Sequence, residues 1–98
     1  MENTYVVYSE EYYFSVKELR TILKKRVYTV TQNEEDANEI RDMMEEVLKN
    51  DLYHPNNNNE MLTAYDMKII TLEGVLSSDD AKSMVINDDF TWGKVGSR

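Results

Sequence analysis

The residues in this chain best placed to act together are carboxylates. Glu35, Glu39, Asp42 and Glu46 recur three and four apart within residues 31–50, with Glu34, Asp36 and Glu45 beside them. On a helix this spacing makes one stripe, with neighbouring Cβ atoms ~5–6 Å apart, comparable to the spacing of phosphates along a nucleic-acid strand. The chemistry of such a stripe is charge. A rigid line of carboxylates can stand in for a phosphate backbone in front of a groove lined by Lys and Arg, where electrostatic steering and ion release favour binding. The commoner use of a charged helix face is solubility, but that use gains i,i+4 pairs by mixing signs. Seven acids against two basic residues, Arg41 and Lys49, favour an interaction. Glu35, Glu39, Asp42, Glu45 and Glu46 are therefore the candidate partner-binding residues, with Asp79, Asp80, Asp88 and Asp89 as a second acidic patch.

No other constellation reads as a reaction centre. His54 is the only histidine, set beside Pro55 in an Asn-rich stretch without the partners that a general base or metal centre needs. Ser15, Ser77 and Ser78 stand at helix-cap positions and lack the G-x-S-x-G context of a serine nucleophile. The pairs Asp79-Asp80 and Asp88-Asp89 lack the alternating ligands and glycine of a calcium loop. The three glycines are isolated, so no phosphate loop is present, and the absence of cysteine removes disulfides and thiolate chemistry. Glu73 and Asp66 are the carboxylates an enzyme reading would use as acid and base. The expectation is a non-enzyme with no catalytic residue, cofactor or metal.

Composition narrows the class further. A chain of 98 residues builds one domain with one modest core. Its net charge of −8 opposes direct binding to nucleic acid or to an anionic membrane and favours a basic protein partner. Residues 1–31 are close to neutral, so nearly all the negative field lies after Thr31. No apolar run is long enough to span a membrane, and the first residues lack the apolar core of a secretory signal, so a cytoplasmic location is expected. Asn and Tyr are frequent while Gly, Pro and Ala are scarce, as AT-rich coding sequence in a low-GC bacterium, its virus or another mobile element would produce.

The elements that must position the acidic stripe follow from periodicity. Ala37, Ile40, Met44, Val47 and Leu48 recur on one side of a helix over about 32–50, with Met43 at the border and Thr31 with Glu34 as its capping box. A second helix is expected over about 16–25, from Ser15 with Glu18 as a box and Val16, Leu19, Ile22 and Leu23 as its face. Lys24, Lys25 and Arg26 would then offset the negative helix end rather than bind phosphate. A short third helix is expected over about 78–86, capped by Ser77 and burying Ala81, Met84 and Val85. Strands are expected over 5–8 and 12–16, separated by a turn at 9–11, and over 26–31, 67–75 and 90–95, the last anchored by Trp92. Gly74 should bend the strand it ends, residues 60–65 form a helical turn, and 54–59 an exposed Asn-rich loop.

Together these make a single α+β domain over 1–98. It has two layers, a mostly antiparallel sheet of three to five strands covered on one face by the two main helices. In size, acidity and composition the chain resembles small viral and mobile-element inhibitors that mimic DNA. That resemblance implies an acidic binding protein that inhibits a basic nucleic-acid-handling protein. The alternative is a homodimeric interaction or regulatory protein. Its surface would be the Tyr-rich N-terminal strand, with Tyr5, Tyr8, Tyr12, Tyr13 and Phe14, exposed at a sheet edge.

Overall fold

The computed structural model describes residues 2–86. Two long antiparallel pairings share one central strand. Strand β1 (Asn3–Ser15) runs uninterrupted through residues 9–11, where a turn was expected. The reason is pairing on both sides: β2 (Arg20–Thr31) and β3 (Glu60–Glu73) flank β1 in the order β2-β1-β3, both antiparallel to it. Glu10 and Glu11, which look turn-like in isolation, stand opposite Lys25 and Lys24 on β2 and are held in the ladder.

Residues 20–25, expected in a helix, are strand. The three- and four-residue recurrence of Val16, Leu19, Ile22 and Leu23 is coincidental, because residues 16–19 form the tight turn between β1 and β2. Ser15 does cap, but it caps that turn, its hydroxyl accepting from Glu18 N at 3.1 Å and its carbonyl from Leu19 N at 2.7 Å. Lys24, Lys25 and Arg26 are therefore not helix-end charges. They reach acids across the sheet, Lys24 to Glu60 at 2.6 Å, Lys25 to Glu10 at 3.9 Å and Arg26 to Glu11 at 3.7 Å. Residues 60–65, expected as a helical turn, open β3 instead.

Helix α1 (Glu34–Asp51) and helix α2 (Ser78–Ile86) fall where the periodicity places them. Asn33, not Thr31, is the α1 N-cap: its Oδ1 accepts from Glu35 N at 2.9 Å and Asp36 N at 3.2 Å, while Thr31 Oγ1 accepts from Asn33 N at 3.1 Å. Thr31 cannot cap because it is the last residue of β2. Substituting Asn33→Ala should cost about 1 kcal/mol in a denaturant melt, since two first-turn donors lose their acceptor. Ser77 caps α2 as expected, accepting from Asp80 N at 3.1 Å. Residues 54–59 are exposed and form a turn in which Asn56 Oδ1 accepts from Asn58 N and Glu60 N. The expected strand over 90–95, with Trp92, lies outside the described residues.

Strand alternation sorts β1 onto two faces. Val6 and Tyr8 pack with Leu72, Ala81 and Val85 in one buried cluster, so α2 covers this end of their face. Val7, Ser9 and Glu11 point the other way and are fully buried, which places α1 over them. Along α1 the line Ala37, Arg41, Met44 and Leu48 is turned inward, and Ala37 and Leu48 are buried. Val47 and Met43, expected in or near the core, are 43% and 55% exposed because this line is narrower than the apolar stripe of the sequence. The α+β class and the antiparallel sheet thus stand, with α1 as the second layer and α2 covering one end of the opposite face. Gly74 ends β3 at φ +88°, a backbone state that favours glycine, and turns the chain toward α2.

Candidate functional site

With Ala37, Arg41, Met44 and Leu48 facing the sheet, the opposite side of α1 carries Glu35, Glu39, Asp42 and Glu46, with Glu45 on the flank toward Tyr65, every one exposed. The helix is 18 residues long, which is about 27 Å of rigid carboxylate-bearing surface. Among the described residues one cation is ion-paired within it, Arg41 Nε to Asp42 Oδ1 at 3.2 Å. Glu34, Glu35 and Asp36 lie in the first turn, where the helix dipole favours negative charge.

Two shallow depressions flank this ridge. Asp42, Glu45 and Glu46 border one of them with Lys49 and Tyr65. The other lies between α1 and β2, where Asp36, Glu39, Ile40 and Met43 meet residues 29–31. The ridge therefore has carboxylates bordering both depressions, and what it presents is charge.

The second acidic patch does not join it. Asp79 and Asp80 are exposed in the first turn of α2, across the sheet from α1, where they complement the dipole of their own helix. Asp88 and Asp89 lie outside the described residues. The acid–base pair of the enzyme reading is also separated. Glu73 stands opposite Asn3 and Asp66 opposite Glu10, positions of opposite parity on β1, so the two carboxylates point to different faces of the sheet. His54 is exposed and borders a small depression with Tyr13, Asp51, Pro55, Asn56 and Leu62. No group of three or more His, Asp or Glu side chains among the described residues is arranged to hold a metal ion.

Against protein-family models, curated proteins and solved structures, the chain finds no match.

The most developed polar constellation is one that the sequence reading passed over. Glu11 is fully buried under α1. Its carboxylate accepts from the Ser9 hydroxyl, from Tyr13 OH at 2.6 Å and from Tyr28 OH at 2.6 Å, with Arg26 at 3.7 Å. Tyr28 reaches it from a β-bulge: the register between β1 and β2 slips between Val7 and Tyr8, leaving Tyr28 without a ladder partner. Burial pushes the Glu11 carboxyl up, but the three hydroxyl donors and Arg26 outweigh it and hold the group below the usual carboxylate range. Burial and the neighbouring carboxylate push the Tyr28 phenol up to about 12 and raise that of Tyr13 too. Among the described residues no buried side-chain polar atom, those of this cluster included, lacks a hydrogen-bond partner. The cluster is a folding device that fixes β1 and β2 under the acidic helix. The legible signal was the spacing of Ser9, Glu11 and Tyr13, which share one face of any strand through residues 9–13.

The Tyr-rich N-terminal strand is central, not at an edge. Its backbone is paired on both sides, so it has no free ladder to offer a second chain. Tyr8 is buried, and Tyr5, Tyr13 and Phe14 are half-buried; only Tyr12 is exposed. Among the described residues no helix is long and apolar enough to cross a membrane.

Proposed function

We propose that the protein is a non-enzymatic acidic binding protein that inhibits a basic nucleic-acid-handling protein by laying α1 in its binding groove, as a DNA mimic does. One observation carries this reading: Glu35, Glu39, Asp42, Glu45 and Glu46 are all exposed on one rigid helix, with a single ion-paired cation among them. Uncompensated like charges at helical spacing destabilise the helix that carries them. Their retention along the whole exposed side of α1 is accounted for if a cationic surface neutralises them on binding. The partner is a protein, because a nucleic acid or an anionic lipid surface would be repelled by the same field.

The test is capture on the immobilised full chain from a low-GC bacterial lysate, washed at about 50 and then about 300 mM salt, where the screening length roughly halves. Nucleic-acid-binding proteins held at low salt, released at high salt and displaced by added duplex DNA are the expected result. Retention of no such protein, or only of partners indifferent to salt and DNA, would sink the reading.

A further inference from the structure

Because β1 is paired on both sides, the open ladders of this sheet among the described residues are the outer edges of β2 and β3. The edge of β2 ends in a groove. Ile40 and Met43 of α1 form one wall, residues 29–31 of β2 the other, and Asp36 and Glu39 the rim, around a volume of about 400 Å³. Val30 lines this groove although its side chain packs against the core cluster on the far face of the sheet, so what it presents here is main chain. Thr29 and Thr31 stand opposite Val7 and Tyr5 and share the face that α1 covers. Met43 is 55% exposed, an apolar side chain left open beside two exposed carboxylates. We infer that the partner enters this groove with an extended basic segment. The segment adds to the edge of β2 at residues 29–31 and lays lysine or arginine side chains across Ile40 and Met43, with their charged ends at Asp36 and Glu39.

Backbone, apolar surface and charge select this occupant together. An open strand edge takes another strand, whose main chain supplies hydrogen bonds and whose alternate side chains fall on one face. Those on the α1 face meet apolar surface first and carboxylates at the rim, which matches the aliphatic stem and cationic head of lysine and arginine. An acidic segment is repelled by Asp36 and Glu39, and a wholly apolar one covers them without a counter-charge. The site is also bounded along β2. The register slips at Tyr28, and Lys24, Lys25 and Arg26 follow, opposing a basic segment beyond that point. The inference rests on the proposed function for the sign of the partner's charge. It adds main-chain recognition, which a line of carboxylates standing in for phosphates does not have.

The probe is a short peptide in which lysine alternates with threonine. Its control is the same peptide N-methylated on alternate residues, which keeps the charge and removes the main-chain donors along one edge. Hydrogen exchange of the full chain, read residue by residue by NMR, should slow at the outward amides of residues 29–31 when the first peptide is added. The methylated peptide should bind at least about tenfold more weakly. Met43→Gln should weaken the first peptide about fourfold or more with the melting temperature unchanged, because this side chain is exposed in the free chain. Equal binding of the two peptides, or no change at residues 29–31, overturns the inference and leaves the proposed function standing, since that is read from salt-sensitive capture on the ridge. Capture that fails while the peptide still protects residues 29–31 removes the proposed function and keeps the groove. Protection of the outward amides without peptide overturns the inference too. It gives the edge to another part of the chain or, where protection rises with protein concentration, to a second copy.

Discussion

Reversing Glu39, Asp42 and Glu46 together to lysine should abolish capture of a basic partner at low salt while the far-ultraviolet circular dichroism stays that of the native chain. All three side chains are exposed on α1, and the one contact their reversal removes is the exposed Asp42 pair with Arg41, while Ala37 and Leu48 stay buried. Each reversal turns an attraction at the interface into a repulsion of similar size. At about 1 kcal/mol for a close pair in a water-like dielectric, three reversals should weaken binding by at least about a hundredfold. The fold should not suffer, because the three lysines join Arg41 and Lys49 among the remaining acids and relieve like-charge crowding on the helix. Reversing Asp79 and Asp80 on α2 should leave the same interaction unchanged, since they lie across the sheet. Binding that survives the triple reversal would remove the proposed function; binding lost with either set would mean that net charge, not the α1 ridge, is recognised.

Glu11→Ala should cost about 3 kcal/mol or more of folding stability, a large part of what a domain of this size has. The loss comes from what is left behind: the buried Ser9 hydroxyl and the phenols of Tyr13 and Tyr28 lose their common acceptor, and α1 loses the polar bed over which it packs. The pH dependence separates this from a simple cavity. Glu11 titrates below the ordinary carboxylate range in the folded chain, so its contribution is complete above about pH 4.5 and is lost as pH falls through the depressed native value. Burial and the Glu11 carboxylate push the Tyr28 phenol up to about 12 and raise that of Tyr13 as well, both higher than a free phenol. Their contribution is complete below about pH 10 and is lost as pH rises toward 12 and beyond. Urea melts across that range should show both limbs, and Glu11→Gln should flatten the acid limb while keeping part of the neutral-pH stability. An acid limb unchanged in Glu11→Gln would assign the pH dependence to other carboxylates.

What the sequence determined by itself was local and repetitive. The periodicity of α1 placed its ends to within a residue or two and put Glu35, Glu39, Asp42, Glu45 and Glu46 on the exposed side. A helix of 18 residues with one apolar line has few other ways to sit. The cap at Ser77 and the bend at Gly74 were legible for the same reason, since the hydrogen bond or φ angle they supply involves residues within three positions. Only the tertiary structure decided residues 16–25. There, local spacing satisfied a helix, but pairing with β1 held residues 20–25 in a ladder and matched Lys24, Lys25 and Arg26 with Glu60, Glu10 and Glu11. The same pairing made the Tyr-rich strand central instead of an edge and carried Glu11 into the interior. It also set Asp79 and Asp80 on the far side of the sheet from the ridge they were expected to extend. Each of those outcomes depends on partners ten to seventy residues away, and no short window of sequence contains that separation.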